Sequence, residues 1–195
     1  GIEVPKRAQY LRVIMAELSR IQSHILWYGV FSIGTGFDTG FKIAFGYRDH
    51  ILDLFEMITG GRVYPAGYIC PGGVRRDLSG EAVRKISDVL RKIDEIQFLD
   101  EIENPTLLSR TENVGILRLD DAIRLGATGP VLRASGMKTD VRKDDPYEVY
   151  DRFDFDVPVR KEGDAYARYS IGLEEIRQSI IIIDQALKEL PDGEF

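Results

Sequence analysis

The stretch PKRAQYLRVIMAELSRIQSHILWYGVF, residues 5–31, decides the fold. Its apolar side chains recur three and four residues apart, which places them on one face of an α-helix. They are Tyr10, Val13, Ile14, Leu18, Ile21, Ile25 and Tyr28. Pro5 suits the first helical position, where its missing N–H leaves no hydrogen bond unmade. The stretch therefore predicts a long helix from about Pro5 to about Phe31.

Three further helices are predicted by the same spacing of apolar residues, at about residues 37–59, 79–104 and 164–190. They end at residues that stop helices, namely Gly60-Gly61, Asn104-Pro105 and Pro191. Ser79 is a good N-cap for the third helix, because its hydroxyl can accept a hydrogen bond from a backbone N–H of the first turn. The sequence thus predicts four long helices.

The stretch from Pro105 to Gly163 is different, because turns rich in Gly, Pro, Asp and Arg interrupt it. Short helical pieces are expected at Leu119 to Leu125 and at Pro146 to Arg152. Long ordered excursions of this kind usually carry function or form an interface. Residues 61–77 are predicted to be extended or irregular. The predicted fold is mainly α: residues 1–195 form a single helical core domain, with four long antiparallel helices in a bundle, the irregular excursion at about 105–163 and minor β-structure.

The composition is that of a soluble globular protein. Of the 195 residues, 44% are hydrophobic and 30% are charged, which is too apolar for a disordered chain. The net charge of −6 argues against free nucleic acid as a partner, because neutralising phosphates needs clustered Lys and Arg. The single cysteine, Cys70, excludes an internal disulfide and a cysteine-based metal cage made by this chain alone.

The two ends of the sequence indicate a piece of a longer protein. The chain begins without Met and stops just after the fourth predicted helix. It contains no apolar stretch long enough to span a bilayer. We therefore expect a central fragment that binds no metal by itself.

Asp38 lies in the glycine-rich run between the first two helices, Gly34 to Gly40. The run does not have the GxGxxG spacing of a dinucleotide loop, and it follows a helix rather than a strand. Two interpretations of Asp38 remain open. It caps the second helix, or it is a proton-active carboxylate at a helix start beside a cavity.

His24 follows Glu17 and Arg20 along the first helix, at a spacing that lets Glu17 and Arg20 pair. It shares a face with apolar residues. The alternatives are a half-buried structural histidine and a proton carrier, since histidine is the side chain that titrates near neutral pH.

A second candidate site is the run Tyr68 to Asp77, where Pro71-Gly72-Gly73 precedes two arginines and an aspartate. Glycines after a proline allow close approach of the backbone to another surface. The run is either a tight turn with solvated charges or a contact with another subunit or redox centre. The contact residues would be Pro71, Gly72, Gly73, Arg75, Arg76 and Asp77.

A third candidate is the loop of residues 126–146, in which cations and carboxylates alternate on a glycine-rich backbone. Its main candidates are Arg133, Asp140, Arg142 and Lys143. Such interleaved charge suits an interface or an internal ion-pair network. A solvated loop is the competing interpretation.

Several stretches of the sequence resemble one known family. They are GIEVPKRAQYLRVIMAELSRIQSHILWYG (1–29), GGVRRDL (72–78), GATGPVLRASGMKTDVRKDDPYEVY (126–150) and residues 153–191. The chain resembles the hydrogenase-like, 49 kDa-type component (the D subunit) of respiratory complex I, NADH:quinone oxidoreductase. TGFDTGF (35–41) and RRD (75–77) look more like the related large subunits of energy-converting, membrane-bound NiFe hydrogenases.

The resemblance implies an electron-transfer function. In complex I, electrons reach a quinone bound between this subunit and a partner that holds the terminal 4Fe–4S cluster, and their transfer drives ion translocation. In the hydrogenases, electrons reach a Ni–Fe centre held by four cysteines that lie outside this stretch. The implied partners are the iron–sulfur subunit, membrane subunits and quinone, at the cytoplasmic face of the cell membrane. The isolated fragment is expected to be inactive; a non-catalytic assembly scaffold is the other alternative.

The resemblance also implies roles for the candidate residues. Asp38 would be a proton-coupled group below the quinone cavity, and Pro71 to Asp77 would face the iron–sulfur subunit. This chain departs from many members of the complex I branch at three positions. It has Gly34 where they have aspartate, Pro65 where they have histidine and Cys70 where they have arginine.

Overall fold

The computed structural model describes residues 1–65, 67–94 and 105–195, and these residues are mainly α-helical, which confirms the predicted fold class. The long helices are α1 (Lys6–Gly34), α2 (Asp38–Thr59), α3 (Gly80–Asp94) and α8 (Ala165–Lys188). The shorter ones are α4 (Pro105–Thr111), α5 (Leu119–Arg124), α6 (Gly129–Ala134) and α7 (Val141–Asp144), and Tyr150–Arg152 form a 3-10 turn. Strands β1 (Ile69–Cys70) and β2 (Gly73–Val74) complete the described elements.

Helix α1 is the centre of the bundle and packs against α2 and α8. Leu11, Ile14 and Leu18 on α1 have no solvent exposure, and neither do Ile51 on α2 and Ile182 on α8. Fully burying one such side chain contributes about 1.5–3 kcal/mol. The helical spacing of apolar residues therefore builds one core between the long helices.

Both ends of α1 differ slightly from the prediction. Pro5 precedes the helix at the N-cap position, and its carbonyl accepts the first helical hydrogen bond, from Gln9 N at 3.1 Å. The helix continues beyond Phe31 to Gly34. Ser32 Oγ donates to Tyr28 O at 2.9 Å, which satisfies a carbonyl near this end and supports the extra turn.

Side-chain caps begin α3 and α8. Ser79 Oγ accepts a hydrogen bond from Ala82 N at 3.1 Å, as the sequence predicts. Asp164 accepts one from Ala167 N at 2.7 Å. The C-terminal part predicted for the third helix, residues 95–104, lies outside the described residues.

The excursion before α8 contains more short helices than the sequence predicts. The piece at Leu119 to Leu125 is present as α5, whereas the piece predicted from Pro146 to Arg152 is wrong for residues 146–149. Glu148 adopts a φ of +50°, in the left-handed region, so a right-handed helix cannot pass through it. Only the 3-10 turn after it remains.

Strands β1 and β2 pair antiparallel, with Ile69 opposite Val74 and Cys70 opposite Gly73. Pro71 and Gly72 form the connection, and Gly72 has a φ of +85°. This is the positive φ that the third residue of a type II turn requires, and Pro-Gly is favoured there. We call residues 69–74 the hairpin. No helix in the described ranges is long and apolar enough to cross a membrane.

Candidate functional site

A cluster of buried charged side chains lies between α1, α8 and the segment that contains α6 and α7. Glu17, Arg142 and Glu175 have no solvent exposure, and Arg133 and Asp140 are 4% and 6% exposed. Removing an ionised group from water costs several kcal/mol unless it is paired and hydrogen-bonded. We call this cluster the buried ion network.

Glu17 is the centre of one branch of the network. Its carboxylate accepts hydrogen bonds from Tyr150 Oη at 2.5 Å, Ser179 Oγ at 2.7 Å and Arg142 Nη1 at 2.9 Å. Arg20 Nε, one turn along α1, lies 3.3 Å from it, so the pair predicted from the sequence forms. Glu17 therefore joins α1, α8 and the excursion. Burial and the Glu17 charge raise the pKa of Tyr150 above its ordinary value, which keeps its phenol protonated as a donor.

Arg142 connects Glu17 to Asp140. Its Nε donates to Asp140 Oδ1 at 2.9 Å and its Nη2 donates to Oδ2 at 2.7 Å, a bidentate pair. Burial raises the pKa of Asp140, but the hydrogen bonds and charge of Arg142 outweigh burial and leave that pKa below its ordinary value. Both groups are thus held in their charged forms.

Glu175 is the centre of the second branch. Arg133 Nε donates to its Oε1 at 2.8 Å, and Arg133 Nη1 donates to Thr139 O at 2.8 Å. Arg133 also lies 3.9 Å from Asp140, which links the two branches. Burial raises the pKa of Glu175, but His24 and Arg133 outweigh burial and lower it overall.

His24 faces the second carboxylate oxygen of Glu175. Its Nε2 lies 2.9 Å from Glu175 Oε2, an ion-pair distance when the imidazole is protonated. The two atoms are not aligned as a hydrogen bond, and both are buried. The structure therefore places this predicted histidine at the edge of the buried ion network, with its side chain 14% exposed.

The charges in the network balance when His24 is neutral. The carboxylates of Glu17, Asp140 and Glu175 are matched by the guanidinium groups of Arg20, Arg133 and Arg142. Chemically, the arrangement holds three carboxylates and three guanidinium groups as paired charges between α1, α8 and the excursion.

A cavity of about 490 Å³ lies beside the network. Its charged lining is Arg20, Arg133 and Asp140, and Pro130 and Leu132 contribute apolar surface. The cavity gives one side of the network an approach to solvent.

The structure brings together most, but not all, of the predicted residues of this region. His24, Arg133, Asp140 and Arg142 belong to the network. Lys143 does not: it is exposed, and its ammonium lies 4.3 Å from the centroid of the Phe155 ring.

Sequence reasoning missed the partners on α8, Glu175 and Ser179, and also missed Tyr150. The one available signal is Glu175, a charged residue next to Ile176 in the apolar stripe of the fourth predicted helix. A carboxylate at such a position needs a buried partner.

The hairpin and the residues that follow it form a separate feature on the surface. Pro71, Arg75, Arg76 and Asp77 are exposed, Gly72 is half-buried and Gly73 is buried. Asp77 Oδ1 accepts from Arg7 Nε on α1 at 2.8 Å. In the described part of the chain, neither Arg75 nor Arg76 forms an ion pair, so both charges face solvent.

Asp38 is the first residue of α2 and is exposed. The interpretation of Asp38 as a cap is wrong, because Phe37 occupies the N-cap position and makes no side-chain cap. Apolar side chains of the adjoining end of α1 are also exposed. Trp27, Val30 and Ile33 are 38%, 57% and 48% exposed. We call Asp38 and these three residues the α1–α2 tip.

Within residues 1–65, 67–94 and 105–195, no group of three or more His, Cys, Asp or Glu side chains could hold a metal ion. Cys70 is a free, half-buried thiol.

Comparison with known proteins shows the family. Residues 34–195 match the family described as respiratory-chain NADH dehydrogenase, 49 Kd subunit. A D-type NADH-quinone oxidoreductase subunit of Sinorhizobium medicae (strain WSM419) is 45% identical over an alignment that covers 100% of this chain and 49% of that protein. An H-type NAD(P)H-quinone oxidoreductase subunit of Thermosynechococcus vestitus (strain NIES-2133 / IAM M-273 / BP-1) is 48% identical, with coverage of 100% and 50%.

A solved structure shows the same fold. A chain of the membrane-bound sulfane sulfur reductase (MBS), an archaeal respiratory membrane complex, matches with a TM-score of 0.93 and 40% identity. The match covers 100% of this chain and 53% of that one. The chain thus spans about half the length of the curated relatives it matches.

Proposed function

The chain belongs to the family of the 49 Kd subunit of respiratory-chain NADH dehydrogenase, and from this premise we propose that it is part of a subunit of an ion-translocating NADH:quinone oxidoreductase. In this proposal, residues 1–195 are one helical core domain of a longer subunit. The complex oxidises NADH, reduces quinone and couples electron transfer to ion translocation. The alignment of the whole chain with quinone oxidoreductase subunits, at 45% and 48% identity, carries the proposal.

The domain would act beside redox groups that it does not itself hold. We propose that the terminal 4Fe–4S cluster belongs to a partner iron–sulfur subunit and that quinone binds between that partner and this subunit. Membrane subunits would anchor the assembly at the cytoplasmic face of the cell membrane. The domain would contribute the surface that contacts the iron–sulfur subunit and the surface that contacts quinone, and it would carry protons.

The hairpin, with the arginines that follow it, is the proposed contact with the iron–sulfur subunit. The exposed residues combine an apolar side chain, Ile69 at 53% exposure, with the solvent-facing cations Arg75 and Arg76. Protein interfaces commonly combine apolar surface with arginine. Positive charge next to an iron–sulfur cluster also favours its reduced form, since reduction potentials follow local charge.

The α1–α2 tip is the proposed contact with quinone. Trp27, Val30 and Ile33 offer apolar surface of the kind that binds the ring and tail of a quinone. Asp38 supplies an exposed carboxylate at the start of α2, the helix that follows. When bound, quinone would be the electron acceptor, and Asp38 would hold or release a proton beside it.

His24 is the proposed proton carrier within the domain. The geometry around it supports this role, because its Nε2 lies 2.9 Å from the buried carboxylate of Glu175, whose lowered pKa keeps that carboxylate ionised.

A second candidate is a related membrane-bound complex with another terminal acceptor. The sequence TGFDTGF (35–41) and the match to a membrane-bound sulfane sulfur reductase favour it. A Ni–Fe centre of the hydrogenase type needs four cysteines, and this chain supplies only Cys70. Such a centre would therefore have to be held by residues outside this chain.

Purification of the native complex through a tag on this subunit separates the candidates. We expect the complex to contain iron–sulfur clusters and no nickel, and to reduce quinone with NADH in a reaction lost when the gene is deleted. Hydrogen evolution with stoichiometric nickel would instead support the hydrogenase. A complex that keeps full activity without this subunit would support the alternative that the subunit is a non-catalytic assembly scaffold.

A further inference from the structure

Arg12, on the N-terminal half of α1, holds both ends of the turn in the hairpin. Its Nη2 donates to Cys70 O at 2.9 Å and to Gly73 O at 3.0 Å, and its Nε lies 3.3 Å from Gly73 O. Cys70 and Gly73 are the residues that flank the Pro71-Gly72 turn. One guanidinium therefore fixes the turn against α1, and it does so with its side chain only 13% exposed.

Glu148 fixes the orientation of that guanidinium. Its Oε1 accepts from Arg12 Nη1 at 2.9 Å. Glu148 is one of two non-glycine residues in the described ranges with a positive φ, at +50°. Residues other than glycine rarely adopt this backbone conformation. Such strain persists only where the surrounding structure determines it, and it is concentrated at functional sites.

The hairpin and the residues that follow it also carry exposed side chains. Ile69 is 53% exposed, and Pro71, Arg75 and Arg76 are exposed. Asp77 does not neutralise the arginines, because it is paired with Arg7 on α1. These exposed residues thus combine apolar surface with a net positive charge, which complements a partner surface that presents carboxylates.

We propose that Arg12, held by Glu148, is the positioning residue for docking of the hairpin on the iron–sulfur partner subunit. Arg12 does not touch the partner. It acts by setting the distance of the turn from α1, and so the distance of Arg75 and Arg76 from the partner's cluster. This inference rests on the proposed function, which supplies the identity of the partner.

The test uses the whole subunit in its native complex. It separates the role of Arg12 from the premise that the hairpin contacts the iron–sulfur subunit. A photo-crosslinking amino acid in place of Ile69 identifies the neighbour of the hairpin in the otherwise unchanged complex. A crosslink to the iron–sulfur subunit establishes the premise. A crosslink to another subunit, or none, contradicts the proposed contact and overturns the inference with it.

The Arg12→Gln and Glu148→Gly variants then test the inference itself. Glu148→Gly removes the carboxylate and also the strain of a positive φ, so it is the variant expected to fold in any case. With either change, we expect the crosslink yield to fall about tenfold, the effect of losing hydrogen bonds to a charged group. The electron paramagnetic resonance spectrum and midpoint potential of the partner's cluster should also shift, since both respond to nearby charge and solvent.

Arg62→Gln is the matched control. Arg62 pairs with Asp49, Asp53 and Glu56 on α2, so its loss removes ion pairs of an arginine without touching the hairpin. The control should keep the wild-type crosslink yield and cluster spectrum. If the assembled Glu148→Gly complex also keeps both, Arg12 and Glu148 are structural only and the inference is overturned.

Discussion

Glu17 shows at the scale of one residue how the buried ion network stabilises the fold. It accepts hydrogen bonds from Tyr150, Ser179 and Arg142 without any solvent exposure. Replacing one partner of a buried pair leaves the other charge uncompensated, which is more costly than losing the attraction alone.

We therefore expect Glu17→Gln to lower the free energy of unfolding by about 3–5 kcal/mol, because Arg142 then keeps only Asp140 as a counter-ion. Urea titration followed by circular dichroism measures the change. Glu3→Gln is the control, because Glu3 is exposed, and it should change stability by less than about 0.5 kcal/mol. A similar small effect of Glu17→Gln would contradict the stabilising role of the network.

Asp140 and Glu175 make the stability depend on pH on the acid side. Both have a pKa below the ordinary value in the folded chain, because their arginine and histidine partners outweigh burial. The unfolded chain therefore binds protons at these carboxyls at a higher pH than the folded chain does. Their contribution to the free energy of unfolding is complete above the ordinary carboxyl pKa. It is lost as the pH falls through the lowered pKa values of the folded chain.

Between about pH 6 and about pH 3, the free energy of unfolding should decrease as the pH falls. At about pH 6, Asp140→Asn should be less stable than the wild type. Its free energy of unfolding should also decrease less steeply as the pH falls. Asp192→Asn, which removes an exposed carboxyl, should follow the wild-type curve. Urea titrations at each pH measure this, and parallel curves for wild type and Asp140→Asn would show that the Asp140 pKa does not change on folding.

At the scale of the elements, α3 is a surface helix whose start depends on one side chain. Ser79→Ala removes the hydroxyl that accepts from Ala82 N, and we expect a loss of about 1 kcal/mol in the free energy of unfolding. Ser87→Ala, in the middle of the same helix, should be neutral or slightly stabilising, because alanine has the higher helix propensity. Thermal and urea unfolding compare the two; equal effects would show that the cap contributes nothing.

The elements also show what the sequence could and could not predict. The four long helices follow from local spacing of apolar residues, so α1, α2, α8 and the start of α3 were predictable. The network was predictable only in part: the loop of residues 126–146 suited an internal ion-pair network, but Glu17 and Arg142 are 125 residues apart and no local pattern pairs them. The left-handed Glu148 was missed for a similar reason, because its partner Arg12 lies 136 residues away in the chain.

At the scale of the whole molecule, the α1–α2 tip tests the proposed quinone contact. In the assembled complex, we expect Asp38→Asn to reduce quinone reductase turnover at least about tenfold, the lower range for loss of a group that transfers a proton. Spectrophotometric NADH oxidation with a soluble quinone measures it. The exposed Asp53→Asn, on the same helix, is the control. Unchanged turnover and ion translocation with Asp38→Asn would remove Asp38 from the mechanism.

The pairing of α1 with α8 also has a consequence for synthesis of the protein. Ser179, which donates to Glu17, follows it by 162 residues. At translation rates of about 5–20 residues per second, α1 leaves the ribosome roughly 10–30 s before its partner on α8 exists. During that interval α2 is already available to pack against α1, but the part of α1 that α8 covers is exposed, and Glu17 lacks the hydrogen bonds that α8 and the excursion supply. Closure of the bundle by α8 is thus a late step during synthesis.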